Sequence, residues 1–183
     1  LMSDALRAAS ALPGFLQAAR LVLVETNAAL KEAQAAKLAA YQPTWVEHFS
    51  EIEPVGPVLI VGNEFLDVLP TAQFAVANGQ WHERLVSLDD DGALQFVLGQ
   101  PKTPALPLLP EAADGALFEV MPSMAGFFKD VAALLEARTG ACLFVDYAHE
   151  DRGTAWSLQA VKDHEKVEPL DSIGEADLTT LVD

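Results

Sequence analysis

The chain has 183 residues, of which 51% are hydrophobic and 21% are charged, so we expect one globular domain over residues 1–183. Its formal net charge of −16 argues against a nucleic-acid partner, whose phosphates would be repelled, and is compatible with a cationic partner. No apolar run reaches the length of a membrane span. The single cysteine, Cys142, lies in an apolar run, so we expect it to be packed and not to form a disulfide.

The first part of the chain has the pattern helix, strand, helix. Residues 1–12 carry apolar side chains at helical spacing and precede a Pro-Gly stop. Arg20–Glu25 is an apolar strand that ends on an acid, and Asn27 can cap a helix that continues to about Ala40. An acid at the end of such a strand is typical of nucleotide-binding folds, where its carboxylate accepts hydrogen bonds from ribose hydroxyls. Glu25 is therefore a candidate ribose ligand.

Val58–Val61 is a wholly apolar run between glycines, which predicts a central parallel strand buried on both faces. Three polar residues, Asn63, Glu64 and Asp67, follow it directly. In open α/β sheets, ligands bind outside the carboxyl ends of the strands. A ligand explains polar groups at this position better than the protein core does.

Residues 73–98 alternate between apolar and polar side chains in three runs. Asn78-Gly79 separates the first two runs and is a strong hairpin signal, and an Asp-rich turn at residues 89–92 precedes the third. We expect an antiparallel β-meander here, added to the parallel sheet. Residues 99–115 are rich in proline and lack periodicity, which predicts a long loop.

The later part of the chain contains the clearest helix, Ser123–Thr139, whose apolar residues recur at helical spacing before a glycine stop. Ala141–Val145 follows as another buried strand and ends on Asp146-Tyr147. His149 and His164 are candidates for lining a substrate site, with a plain surface position as the alternative.

Three predicted strands thus end on acids, at Glu25, at Glu64 and at Asp146. In a parallel sheet these ends lie on one edge, so we expect the acids to converge on one cleft. Carboxylates suit a ligand with hydroxyls, an amino group and a positive centre, whereas a phosphate cofactor would require Lys or Arg at the same places. Helix capping or a loop position is the alternative for any one of these acids. No metal-ligand motif is present, so no metal is expected.

Several segments resemble one protein family. The run NEFLDVLP at residues 63–70 resembles the N-E-F-F-D-A-L-P motif of the MidA-like family, which includes complex I assembly factor 7. LMSDALR at residues 1–7 is similar to the helix that follows the family's glycine-rich loop, and residues 24–34 resemble its V-E-x-S-P-x-L-R-x-x-Q pattern. SLQA at residues 157–160 and GEADLT at residues 174–179 also match, while Ala148 replaces a family glycine.

The resemblance implies an α/β fold, with the Rossmann-like, mostly parallel sheet of class I methyltransferases, helices on both faces, and the β-meander as an insert. The family's glycine-rich loop precedes the segment that matches Leu1, so we expect this sequence to be part of a domain that lacks that loop. The implied cofactor is S-adenosylmethionine, and the implied reaction is N-methylation of a protein arginine, linked to assembly of respiratory complex I. The implied location is the cytoplasm for a bacterial protein and the mitochondrial matrix for a eukaryotic one.

Site roles follow from the resemblance and from the strand ends. Glu64 and Asp67 are the candidate catalytic residues, placed to clamp a guanidinium group. The candidate cofactor-binding residues are Glu25, Glu47, Asn63 and Glu64. The candidate substrate-binding residues are Asp146, Tyr147 and His164. For Glu47, which by alignment faces the adenine amino group, a solvated position on an edge strand is an equal alternative.

Two other functions stay open from the sequence. A non-catalytic assembly factor could keep the fold without turnover. Because the glycine-rich loop is absent, we expect this sequence alone to bind the cofactor poorly or not at all. An NAD-type dehydrogenase also carries an acid at a strand end, but the Asn-Glu-x-x-Asp cluster and the meander argue against it. The sequence does not specify an oligomeric state.

Overall fold

The computed structural model describes residues 1–102, 104, 113–148 and 156–182. The chain forms two compact units, the first comprising Leu1–Val58 and Asp130–Thr139, the second comprising Leu59–Lys129 and Gly140–Asp183. Within the described residues, no helix combines the length and the apolar character needed to cross a membrane. His149 and most of the predicted proline-rich loop lie outside the described residues.

The first unit contains the predicted helix, strand, helix pattern. Asn27 begins the third helix as predicted, because its side-chain oxygen accepts hydrogen bonds from the amides of Ala29 (2.9 Å) and Leu30 (3.2 Å). Two short strands pair in parallel, with Val22 opposite Thr44. The elements are α1 Met2–Ala9, α2 Phe15–Ala18, β1 Val22–Val24, α3 Ala28–Leu38 and β2 Thr44–Val46, with single 3₁₀ turns at Ala39–Tyr41 and Phe49–Glu51.

The remaining strands are β3 Val58–Asn63, β4 Ala72–Ala77, β5 Gln80–Leu88, β6 Leu94–Pro101, β7 Leu117–Val120, β8 Gly140–Val145, β9 Gln159–Lys162, β10 Glu165–Val167 and β11 Asp177–Thr179. The fourth helix, α4, spans Met124–Ala137 and confirms the predicted helix. Strands β3 and β8 pair with each other. They run parallel, because the amides of Val58 and Glu64 donate to the carbonyls of Thr139 and Val145, advancing equally along both chains.

The β-meander is confirmed, and a fourth strand extends it into an antiparallel sheet of order β6-β5-β4-β7. Asn78 and Gly79 both have positive φ, at 52° and 69°, as a two-residue hairpin of the type I′ class requires. One face of this sheet buries an apolar cluster formed by Phe74, Val76, Trp81 and Phe118. Strand β6 extends to Pro101, so residues 99–101 are strand and not the predicted loop.

A smaller antiparallel sheet of order β10-β9-β11 completes the second unit. Among the described residues, parallel pairing joins β1 with β2 and β3 with β8, with one isolated parallel bridge between Ala148 and Val182. The expected mostly parallel sheet is not seen as one continuous sheet. The sequence pattern identified the apolar strands. It did not predict the antiparallel strands β9, β10 and β11 near the end of the chain.

Three burial predictions were wrong. Strand β8 was predicted to be buried, but Leu143 is 59% exposed and Val145 is 53% exposed. Strand β3 is not buried on both faces, since Leu59 is 66% exposed and Val61 is 46% exposed. Cys142 is exposed and not packed. The physical reason is that β3 and β8 form a two-stranded sheet here, and side chains alternate between its faces. The inner face packs against aromatic rings, with Phe144 stacking edge-on to Phe127 at 5.6 Å.

Candidate functional site

Glu25 and Glu47 follow neighbouring parallel strands of the first unit. The amide of Glu25 donates to the carbonyl of Val46 at 3.1 Å, which continues the β1–β2 ladder by one step. The two acids therefore emerge at the same edge, at the carboxyl ends of both strands. This arrangement agrees with the expectation that the strand ends carry polar groups toward a ligand.

The carboxylate of Glu25 is held in one orientation by the first unit itself. Its Oε1 accepts the amide of Asn27 at 2.9 Å, and its Oε2 accepts a side-chain N–H of Gln34 at 3.0 Å. The Oε1 atom of Gln34 in turn accepts the indole N–H of Trp45 at 2.8 Å. A carboxylate offers about four acceptor positions, so two remain for a ligand after these bonds are made. Gln34 was not among the predicted site residues, although it closes the family pattern that begins at Val24.

Glu47 is less constrained. Its carboxylate lies 3.5 Å from the ammonium of Lys31, and its side chain is 65% exposed. An exposed pair of this kind contributes little to stability, so the Lys31 contact can be exchanged for a ligand at small cost. The adenine contact stays a prediction for this residue.

In the second unit, Asp146 binds the segment that follows β3. Its Oδ2 atom accepts three backbone amides, from Phe65 at 3.1 Å, Leu66 at 2.7 Å and Asp67 at 3.3 Å. Its Oδ1 accepts the amide of Tyr147 at 2.9 Å. Both oxygens thus already have donors from the protein, and Asp146 fixes the segment at residues 65–67 against the end of β8.

Asn63 and Glu64, which directly precede this segment, are exposed to solvent. Glu64 has a φ of 49°, in the left-handed region that residues other than glycine seldom occupy. Backbone strain of this kind collects at functional sites, where it aims a side chain. No residue of the described ranges hydrogen-bonds to the Glu64 carboxylate, so it is open to a ligand.

Asp67 lies in the interior of the second unit and is only 4% exposed. Among the described residues no donor reaches its Oδ1 atom, while its backbone carbonyl accepts the amide of Thr180 at 2.9 Å. Burial raises the pKa of Asp67, and the charges of Asp146, Glu64 and Asp177 raise it further. Asp177 was not predicted as a site residue, although it lies in the GEADLT segment that resembles the family.

The remaining candidates differ in position. Tyr147 is 62% exposed, and its carbonyl accepts the amide of Val182 at 2.8 Å. His164 has a φ of 66° and forms the β9–β10 hairpin turn with Asp163. The structure therefore brings Glu64, Asp67 and Asp146 together, with Tyr147 next to Asp146. Among the described residues, no contact joins His164 to this group.

Chemically, these are binding groups for a cation or for hydroxyl and amino donors. The described residues contain no cluster of three or more His, Cys, Asp or Glu arranged to hold a metal ion. The fixed Glu25 carboxylate fits the hydroxyls of a ribose, and the acidic set around Glu64 fits a positively charged group.

Comparison with solved structures supports the fold. The chain superposes on two crystal structures of Burkholderia thailandensis proteins from one superfamily, one of which has S-adenosyl-homocysteine bound. For the complex, the TM-score is 0.70 at 23% identity, covering 99% of this chain and 49% of the other. For the second, native structure, the TM-score is 0.73 at 25% identity, covering 100% of this chain and 51% of the other. These likenesses place the chain in the class of α/β methyltransferase folds.

The family follows from the sequence comparison. Residues 1–183 match the family described as "Putative S-adenosyl-L-methionine-dependent methyltransferase", and the chain belongs to that family. A Caenorhabditis elegans relative, "Protein arginine methyltransferase NDUFAF7 homolog, mitochondrial", is 32% identical over 76% of this chain and 34% of its own length. The Danio rerio protein arginine methyltransferase NDUFAF7 is 29% identical over 100% of this chain and 49% of its own. The chain thus spans about a third to a half of these relatives.

Proposed function

We propose that the whole protein transfers a methyl group from S-adenosylmethionine to an arginine side chain of a protein. The observation that carries the proposal is the Glu25 carboxylate, which is fixed by Asn27 and Gln34 at the end of β1 and keeps acceptor positions open. Family membership and the names of the relatives support the same chemistry. S-adenosylmethionine, when bound, supplies the electrophilic methyl group on its sulfonium centre.

In this proposal, different cofactor residues bind different parts of the nucleoside. Glu25 accepts hydrogen bonds from the ribose hydroxyls, and Glu47 accepts one from the adenine amino group after exchanging its contact with Lys31. Asn63, exposed at the end of β3, is the further cofactor residue in this proposal, and Glu64 is assigned to the acceptor. Because Glu25 is already oriented, little conformational entropy is lost when the ribose binds.

The acceptor arginine is bound by the acidic set of the second unit. Glu64, exposed and without a hydrogen bond to any described residue, accepts the planar guanidinium fork. Asp67 is buried, so in this proposal it supports the clamp through its electrostatic coupling to Glu64 and Asp146 and not by contact with the ligand. Asp146 acts by holding residues 65–67 in place, and Tyr147 and His164 contact the substrate outside the clamp.

The residues contribute mainly by position and charge. Methyl transfer is an in-line displacement, so the rate depends on holding the attacking nitrogen close to the methyl carbon and aligned with it. The Glu64 carboxylate would accept the proton that the attacking nitrogen loses as the new N–C bond forms, while the electron pair of the broken C–S bond stays on sulfur. The protein substrate is cationic at the modified site, which suits a chain of net charge −16.

The link to assembly of respiratory complex I belongs to the same proposal, as does location in the mitochondrial matrix if the source is eukaryotic or in the cytoplasm if it is bacterial. A non-catalytic assembly role is the alternative and is separated by experiment. Binding of S-adenosyl-homocysteine without methyl transfer to any arginine substrate would favour that alternative.

The test is methyl transfer from radiolabelled S-adenosylmethionine to arginine-containing peptides by the whole protein. We expect Glu64→Gln to lower kcat/KM by about tenfold or more while the affinity for S-adenosyl-homocysteine stays within about twofold. Glu136→Gln, at an exposed position on α4, is the matched control and should leave both quantities unchanged. Unchanged methylation by Glu64→Gln with intact cofactor binding would remove Glu64 from the clamp.

A further inference from the structure

The four-stranded antiparallel sheet has a second face that the proposed chemistry does not use. Arg84 on β5 lies opposite Gln73 on β4 and Leu98 on β6, whereas Phe74 lies opposite Glu83. Neighbouring residues of a strand point to opposite faces, so Arg84 lies on the face away from the Phe74 cluster. A cavity of about 360 Å³ opens there, lined by Arg84 with Ala75, Phe96, Leu98, Leu117 and Trp156.

Arg84 lies between two aromatic rings in this cavity. Its guanidinium carbon is 3.5 Å from the centre of the Phe96 ring and 4.9 Å from the centre of the Trp156 ring. Stacking of this kind orients the planar fork and shields it from water. Burial accordingly lowers the pKa of Arg84, an effect that the charge of Glu119 opposes.

Most N–H donors of Arg84 have no hydrogen-bond acceptor among the described residues. Its Nη1 donates to Gln73 Oε1 at 2.9 Å, and among the described residues no carboxylate pairs with it. Glu119, the nearby acid, already accepts a side-chain N–H of Gln73 and the amide of Ser157. A guanidinium has five N–H donors, so several have no acceptor among the residues that the structure describes.

We propose that this cavity is a binding site for a carboxylate attached to an apolar group. The charge of Arg84 and its planar fork match a carboxylate, and the aromatic and aliphatic walls match an apolar body of about the size of a benzene ring. Among the described residues that line the cavity, Arg84 is the single cation, which suits a monocarboxylate and not a multiply charged anion. It is independent of the acidic groups assigned to methyl transfer.

Such a carboxylate can come from a small free acid or from the C-terminus of a peptide. Phenylacetate represents the first source and N-acetylphenylalanine the second, and phenylacetamide keeps the shape of phenylacetate without its charge. Binding is followed through the indole N–H resonance of Trp156 in a nitrogen-labelled sample, identified by its loss in Trp156→Phe. We expect at least one of the two acids to saturate this resonance with a dissociation constant of about 1 mM. The tighter of the two identifies the source.

Three comparisons test whether binding depends on the carboxylate of the ligand and on Arg84. Phenylacetamide should bind at least about tenfold more weakly than phenylacetate, because it lacks the charge. Arg84→Lys should weaken binding about tenfold, since a point charge replaces the fork. Arg138→Lys, at an exposed arginine, is the matched control and should bind as the unchanged protein does. Circular dichroism checks that each variant is folded.

The proposal is overturned if neither acid saturates the Trp156 resonance below about 20 mM. It is also overturned if phenylacetamide binds as well as phenylacetate, or if folded Arg84→Lys binds as tightly as the control. Should Arg84→Lys fail to fold, the comparison of phenylacetate with phenylacetamide on the unchanged protein decides the question.

Discussion

Removal of the Asp146 carboxylate should destabilise the second unit through one identifiable set of hydrogen bonds. In Asp146→Ala, three amides at residues 65–67 lose the acceptor that they share. A hydrogen bond to a charged group contributes about 1.5–3 kcal/mol, and here the shortest, to Leu66 at 2.7 Å, should contribute most. The other two converge on the same oxygen at 3.1 and 3.3 Å, so the three are not additive.

The charge of Asp146 repels that of buried Asp67, whose pKa it raises. Removing Asp146 relieves this repulsion and so reduces the loss in the free energy of unfolding. We therefore expect Asp146→Ala to lower the free energy of unfolding by about 2–3 kcal/mol. Asp146→Asn keeps one oxygen for the three amides and should cost about 1 kcal/mol, mostly through the charge that it removes. The two variants together separate loss of the acceptor from loss of the charge.

The assay is urea unfolding at pH 7, followed by tryptophan fluorescence and by circular dichroism. Trp81 and Trp156 belong to the second unit, so fluorescence reports on the affected region. Asp90→Ala, in an exposed turn, has the same change of charge and is the matched control. The reasoning is refuted if Asp146→Ala unfolds within about 0.5 kcal/mol of that control.

Two further changes test the interior of the second unit. Asp67→Asn should raise the free energy of unfolding by about 1 kcal/mol at pH 7, because it removes a buried charge beside three other acids. The folded-state pKa of Asp67 is raised, so its protonated form stabilises the fold at low pH, and this contribution is lost as the pH rises from 3.8 through that pKa. Unfolding curves should therefore show a smaller gain in the free energy of unfolding for Asp67→Asn near pH 4 than at pH 7. Gly62→Ala should cost about 2 kcal/mol, because the added Cβ would lie 2.6 Å from the Phe144 ring; a thermal melt equal to that of Gly126→Ala, where the Cβ meets open space, would contradict this.

Local signals in the sequence were sufficient for several elements of the fold, but not for β7 or for the tail strands β9 to β11. The Asn78-Gly79 pair requires positive φ at two adjacent positions, and that requirement specifies a hairpin without knowledge of the partner strands. Asn27 and the apolar spacing of α4 are likewise effects within a few residues. Predictions of this kind were confirmed because the physics that determines them is local.

Features that depend on distant parts of the chain could not be derived from such patterns. Asp146 was predicted to face a ligand, and its Oδ2 atom accepts amides from residues about 80 positions earlier. The burial of Asp67 and the exposure of Leu59 depend on which strands pair, and apolar composition does not encode that. Arg84 lies between rings from β6 and from the segment before β9, so no local spacing could have indicated the cavity.

The most direct test of the proposed function is calorimetric titration of the whole protein with S-adenosyl-homocysteine, with NAD as the comparison ligand. We predict one molecule bound per chain, no heat from NAD, and binding weakened at least about tenfold in Glu25→Gln, which loses a ribose acceptor. Absence of binding, or equal binding of NAD, would contradict the assignment of the cofactor.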